Sequence, residues 1–465
     1  MNLLDKAIAY VSPRTAAQRA RYRMAAGHFD AAGRKYRQKN WQSGAGDANA
    51  VNFGAIDLLR KRSRDLCRNN PIARRAISVI VDSVVGDGII PSIETDDAGL
   101  KTEIEAILRE HLDTTAIDAG GRLNLYGLQR LAMHTIVEGG EILWLRRTRR
   151  PSDGLPLNLQ IQTLESEYLD DRREGLLPNG NSEYDGIELD LIGRRVAYRL
   201  FRSNPEAHNQ SYPESRLVKA ESVIHGFRMD RAEQRRGTPW LAPVMARLHD
   251  LNDYADAQLL KQKIAAMWVA FTVDQDPDGD PLPGAATDAP TDLVPGMFEH
   301  LPPGRDVRFS EPPKVDGYPD VMREGKRDVA AGLDLTYESM TMDMSSVSFI
   351  SGRLGRLEMN AAMSAHQWTM MIPQMCQPLE PWLRDAIAMR VGDDKKYRFK
   401  WTPPRFPVVD PNAEVDADTK AVEGGFTSRQ RVIRRNGFDP EEIDREIAED
   451  AAKSRMEGAD EGATE

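Results

Sequence analysis

The sequence predicts an α+β chain, and three observations carry that reading. A helix-patterned N-terminal portion feeds a block of short, alternating strands between residues 141 and 227, and helical segments fill most of the remaining chain. The chain has 465 residues, too many for one hydrophobic core, so at least two packed regions are expected. Its 40% hydrophobic and 29% charged residues are ordinary for a soluble globular protein.

Residues 1–50 are basic and end in the loop-like WQSGAGDANA (41–50). Residues 53–82 read as helix, with Ile56, Leu59, Cys67, Ile72 and Ile80 broadly on one side. Asn70-Pro71 interrupts that pattern, because the residue before proline avoids α geometry. Residues 95–112 and 123–138 are further helices. Strands follow at 141–148, 157–165, 186–190, 195–201 and 222–227, with clear alternation in LQIQTLE and VAYRLF.

Pro239 suits a first helical turn, and Trp240, Leu241, Val244, Met245, Leu248 and Leu251 follow at apolar spacings. A helix over 240–272 would be about 50 Å long. Such a helix is not stable alone, so its stripe is expected to pack on neighbouring subunits. A Pro/Gly/Asp-rich interval, 274–320, follows, with nine of the 28 prolines between Pro277 and Pro313. A returning helix covers 318–332, and a long helical region runs from a cap at Ser351 to about 391. Between them lies LDLTYESMTMDMSSVSFISGRLGRLE (333–358). Here Met340, Met342 and Met344 alternate with hydroxyl and acidic residues, and Ser345, Ser346 and Ser348 follow. A short strand near 397 precedes PPRFPVVDP, and helices are expected at 411–423, 428–436 and 440–453, with a disordered tail at 456–465.

Charge is unevenly placed. Eight Lys/Arg stand against Asp30 over residues 14–39, and seven against Asp65 over 60–75. Residues 274–320 carry eleven acids, among them Asp274, Asp276, Asp278, Asp280, Asp288 and Asp292, against three bases. The net charge is −10. A sequence-specific DNA binder would concentrate cations in a groove-reading element, and none is visible. The net charge allows, without requiring, a surface that binds phosphate weakly. The basic arm reads first as a solvated flexible terminus, and otherwise as a contact for another protein or nucleic acid.

Catalytic chemistry leaves little trace. There is no GxxxxGK[ST] loop, HExxH or CxxC pair. DQDPDGD (274–280) mimics a calcium loop but has alanine at 285, where the closing carboxylate belongs. His225 reads as a hydrogen-bonded structural residue, and Glu138 and Glu141 as a strand start rather than a carboxylate pair. Cys67 and Cys376 read as buried small hydrophobes that suit a reducing cytosol. No apolar run approaches the roughly 20 residues of a membrane span, and residues 1–11 lack a signal-peptide pattern. No catalytic residue, cofactor or metal is expected.

Motifs spread along the chain resemble the portal proteins of tailed bacteriophages, lambda-type family. They are RSRDLCRNNPIARRAI (62–77), VVGDGIIP (84–91), EGGEILW (138–144), VIHGF (223–227), QRRGTPWLAPV (234–244), DMSSVSFISGR (343–353), PPRFPVVDP (403–411) and GGFTSRQRVIRRNGFDPEEI (424–443). The loop departs from the family, with Ser348-Phe349-Ile350-Ser351 where Asn-Tyr-Ser-Ser is usual, so a role for the Tyr hydroxyl does not carry over.

The resemblance implies a portal fold: an arm and wing (1–237), a stem helix (238–272), a clip (273–317), a second stem helix (318–333) and a tunnel loop (334–351). A long kinked helix with a returning wing strand (352–412) and a helical crown (413–465) complete it. It implies a dodecameric ring at a capsid vertex of the virion, assembled in the host cytoplasm, passing double-stranded DNA non-specifically. It also implies docking of the terminase large subunit and a head-completion protein on the clip acids, and contact with capsid or scaffold protein. Met340, Met342, Met344, Ser345, Ser346, Ser348 and Arg353 would line the channel. Arg353 is the nearest base to the loop and would meet phosphate or, rather more so, a neighbouring subunit's acid. The rival readings are a phage nuclease or protease using the acids of 274–320, and a monomeric adaptor acting through the basic arm.

Overall fold

The structure, a computed structural model, describes residues 46–207, 214–266, 270–274, 305–309, 317–345, 347–407, 411–435, 440 and 443–451. The chain divides into two units, residues 1–51 and 52–465. The described part of the first is residues 46–51, most of a one-turn helix, α1 (Ala48–Asn52). The basic arm (14–39) and the acidic tail (456–465) lie outside the described residues.

The second unit opens with α2 (Ile56–Asn69) and α3 (Pro71–Val84). The expected break at Asn70-Pro71 is an N-cap. Asn70 is extended, its side-chain oxygen accepts the N–H groups of Ile72 and Ala73 at 2.9 Å, and Pro71 opens the next helix. There follow β1 (Ile90–Glu94), α4 (Ala98–Leu112) and α5 (Leu125–Gly139).

The strand block is β2 (Glu141–Thr148), β3 (Leu159–Glu165), β4 (Gly175–Leu176), β5 (Ser182–Tyr184), β6 (Ile187–Leu189), β7 (Arg195–Phe201), β8 (Ser215–Lys219) and β9 (Val223–Phe227). It forms two antiparallel sheets, ordered β3-β2-β9 and β4-β5-β6-β7-β8. The first sheet is covered on both faces. Ile142 and Trp144 join the main core beneath the helices, whereas Leu143 and Leu145 join a smaller cluster with Leu164, Ile187, Tyr198 and Leu200. That double burial explains the unbroken apolar run EILWL. The two packed regions expected from length are therefore a helix-on-sheet core and a sheet-on-sheet cluster.

The stem segment departs from expectation. Residues 240–244 are turns, α6 runs Met245–Ala266, and residues 270–274 are a strand, β10 (Ala270–Asp274), paired with β11 (Arg305–Phe309). The helix is about 33 Å long, not about 50 Å. Residues 270–272, expected as the helix's last turn, are extended, because the apolar, β-branched run AFTV fits a strand as well as a helix. Trp240, Leu241, Val244, Leu248 and Leu251 are all buried in the protomer's own core. The expectation that they face a neighbouring subunit is thereby corrected, since α7 (Tyr318–Ala331) already covers that face. Gly332 and Gly325 let α7 lie close, against the side chains of Val244 and Leu251 respectively, and Arg247 bridges to Asp328 at 2.7 Å.

Beyond α7 come α8 (Tyr337–Thr341) and α9 (Phe349–His366), then a π-helical stretch, Gln367–Cys376, and α10 (Glu380–Val391). The long helical region is thus interrupted where Pro373 removes a backbone donor. Next, β12 (Arg398–Thr402) returns to pair with β1. The described part ends with α11 (Pro411–Glu423), α12 (Arg429–Arg435) and a helical stretch over 443–451.

Candidate channel loop and its supports

The Met/Ser loop is built on buried anchors. Leu333 and Leu335 sit in the core and fix its start. Thr336 caps α8 by accepting the Ser339 N–H at 3.1 Å. Met340 is only 1% exposed, so one of the three methionines expected at the surface is a core residue. Met342 ends α8 in the left-handed region (φ 62°) and, like Met344, is largely exposed. The short helix α8 splits the expected alternation, burying one side chain per turn rather than every second one.

Asp343 organises the turn. Its carboxylate accepts from the Ser345 hydroxyl at 2.6 Å, the Ser345 N–H at 3.1 Å and the Tyr337 hydroxyl at 3.2 Å. The Ser345 hydroxyl in particular holds that carboxyl below its ordinary range. The next helix begins earlier than expected. Ser348, not Ser351, is the N-cap, and the two serines exchange bonds: Ser351 N–H to Ser348 Oγ at 3.2 Å, and Ser348 N–H to Ser351 Oγ at 3.1 Å. The Ser348 hydroxyl is therefore spent on capping. Ser346 lies outside the described residues.

The base nearest the loop is not Arg353. Arg75 of α3 reaches it, donating from Nε to the Ser339 carbonyl at 3.2 Å and from Nη2 to the Met342 Sδ at 3.3 Å. Arg353 is exposed on α9, and no ion pair joins it to a described residue of its own protomer. Phe349, Ile350, Leu354 and Leu357 are also exposed there, so the loop and the first turns of α9 form one apolar surface.

Beneath the sheets lies an ionic cluster that sequence reasoning missed. Glu141 is fully buried at the start of β2. It accepts from Arg236 in a two-pronged contact (2.8 and 3.0 Å from Nε), from the Gly237 N–H at 3.0 Å and from His225 Nε2 at 3.0 Å. Arg60 stands 3.4 Å away. Burial raises the Glu141 carboxyl, but Arg236 and His225 outweigh it and hold the group well below the usual range. Burial pushes His225 down to about 4, so its neutral ring donates to Glu141 while Nδ1 faces Arg195 at 3.4 Å. The expected structural role of His225 and strand-start role of Glu141 are what the geometry contains. Gly140 and Gly237 permit the close backbone crossing beside the cluster, since a Cβ on either would strike the other's backbone. The signal was present in the sequence: EGGEILW, VIHGF and QRRGTPW each supply one member.

The clip acids are mostly unplaced. Asp274 ends β10, and Asp276, Asp278, Asp280, Asp288 and Asp292 lie outside the described residues. Among the described residues no group of three or more His, Cys, Asp or Glu side chains could hold a metal ion, and no helix is long and apolar enough to cross a membrane. Cys67 and Cys376 are both buried, and burial pushes the Cys67 thiol up to about 11.

Residues 34–367 match the family described as phage portal protein, lambda family. This chain belongs to that family. Among relatives, the probable portal protein of Halomonas phage phiHAP-1 is 25% identical over 443 residues, covering 90% of this chain and 84% of the relative. Portal protein B of Escherichia phage lambda is 22% identical over 479 residues, covering 90% and 88%. A solved chain from the neck of an empty gene transfer agent particle superposes with a TM-score of 0.49 at 12% identity, over 81% of this chain and 94% of that one.

Proposed function

We propose that this protein is a portal, the head–tail connector whose copies form a ring around a channel at one capsid vertex, through which double-stranded DNA is packaged and ejected. The observation that carries the reading is the family match over residues 34–367, which spans the strand block, α6, α7 and the loop. The loop is chemically suited to the task. Residues 334–352 contain no lysine or arginine, and the Arg75 guanidinium that reaches the loop is held by the Ser339 carbonyl and the Met342 sulfur, so the loop's own residues add no strong phosphate binding. The flexible, exposed thioethers of Met342 and Met344 suit a backbone of any sequence.

Within this reading the ring is a dodecamer. Residues 1–237 with β12 are the arm and wing, α6 and α7 the stem, 273–317 the clip, 334–351 the tunnel loop and 413–465 the crown. The clip acids receive the terminase large subunit and later a head-completion protein, and the outer surface meets capsid or scaffold protein in the virion. The chain is a structural component rather than a phage nuclease or protease. Mass measurement and negative-stain microscopy of purified protein test it: a ring of about a dozen copies with a central hole is expected, and a stable monomer refutes it.

A further inference from the structure

Between the three-stranded and five-stranded sheets opens a cleft of about 410 Å³, lined by Arg147, Gln162, Tyr168, Arg202 and Arg216 over an apolar floor that includes Leu145 and Phe201. Three guanidiniums converge there, and among the described residues no acidic side chain lines it. Arg147 is oriented by Gln162, whose side-chain oxygen accepts from its Nε at 2.8 Å and from its Nη2, leaving Nη1 free of that contact. Arg216 has no acid partner among the described residues. Among the described residues Arg202 has one acid partner, Glu214, at 3.8 Å on the exposed rim. Arg149, two residues along β2, adds another positive charge and bonds Gln160 rather than a carboxylate. Burial, then Arg216 and Arg149, push the Arg147 guanidinium below its ordinary range. Among the described residues, positive charge is thus gathered in a half-sheltered place with one exposed carboxylate, Glu214, at its rim. That arrangement weakens the free protein and is relieved by an anion.

We propose that this cleft is a docking site for an acidic segment of another protein chain, one of whose carboxylate side chains enters between the sheets and is held by Arg147 and Arg216. Guanidinium forks match planar carboxylates with paired hydrogen bonds. The apolar floor suits the methylenes of a glutamate, and Tyr168 offers a further donor beside them. The dimensions favour a peptide over nucleic acid. A space of this size admits one or two side chains, whereas a duplex presents its phosphates on a stiff surface with grooves up to about 12 Å wide. The site is on the strand block, away from the channel loop, and stands whether or not the portal reading holds.

The test is fluorescence anisotropy with labelled octaglutamate and full-length protein at low salt, where exposed charges are least screened. Saturable binding is expected. It should weaken about tenfold in Arg147→Gln/Arg216→Gln and change less than about twofold in Arg62→Gln/Arg398→Gln, which removes the same charge elsewhere. Arg216→Gln alone, at an exposed position, carries the test if the double variant folds poorly, and should weaken binding about threefold or more. Absence of binding to the wild type, or equal losses in the cleft and control variants, overturns the proposal. So does a labelled DNA duplex that requires these arginines and is not displaced by octaglutamate.

Discussion

The Arg75 guanidinium lies 3.3 Å from the Met342 sulfur and 3.2 Å from the Ser339 carbonyl, so a helix of the core holds an exposed turn of the Met/Ser loop. The contact joins residues 267 apart in sequence. Arg75→Ala should leave ring assembly intact and loosen the loop. Hydrogen exchange of the 337–345 amides should speed several-fold while α3 itself stays protected. Unchanged exchange would mean that α8 is held by Met340 alone.

Removing residues 342–346 should leave assembled rings and terminase docking unaffected, because the core anchors Leu335 and Met340 remain. Particles built with this variant should package DNA incompletely or fail to retain it. Wild-type DNA content per head would show that the loop neither grips nor gates.

Leu248→Asp places a carboxylate in a core position that is 1% exposed. We expect a loss of about 3 kcal/mol or more, read as a collapse of the urea midpoint or insoluble protein. A well-folded monomer with a native melting curve would instead restore Leu248 to the subunit interface.

Glu141→Gln leaves Arg236, and Arg60 beside it, without their buried carboxylate. Breaking a buried pair in this way costs about 3–5 kcal/mol, and a lowered melting temperature is the measure. A melting temperature within a degree of wild type would show that the cluster is dispensable.

Acidification should act in one direction. Burial depresses both His225 and His111 to about 4, so each binds a proton more readily unfolded than folded. Their stability contribution is full above the unfolded value near 6.5 and is lost as pH falls from there towards 4. Urea midpoints should be flat between pH 7 and 8 and decline between pH 6.5 and 5. His111→Leu should flatten part of that decline.

The parts legible in sequence were those set by local rules. Alternation marked β3 and β7, Asn70-Pro71 marked a helix junction, and Gly332 and Leu333 marked the end of α7. The illegible parts depended on distant partners. Met340 and Met342 look alike in sequence, and only the core under α8 separates them. The stripe on α6 looks the same whether covered by α7 or by another subunit. The Glu141 cluster needed three segments, up to 96 residues apart, to be seen together. The strands β1, β4 and β5 are too short or too irregular to announce a period.

One pairing constrains how the protein is made. β1 has no partner until β12 is synthesised, since Glu94 pairs with Arg398 and Ile90 with Thr402. At ribosomal rates of about 5–20 residues per second, the intervening 300-odd residues take roughly 15–60 s. Throughout that time a nascent chain carries an open strand edge, and a prematurely ended one keeps it. Closure of this pair reports that translation has passed residue 402, so chains truncated before it are marked by incompleteness before any ring is built.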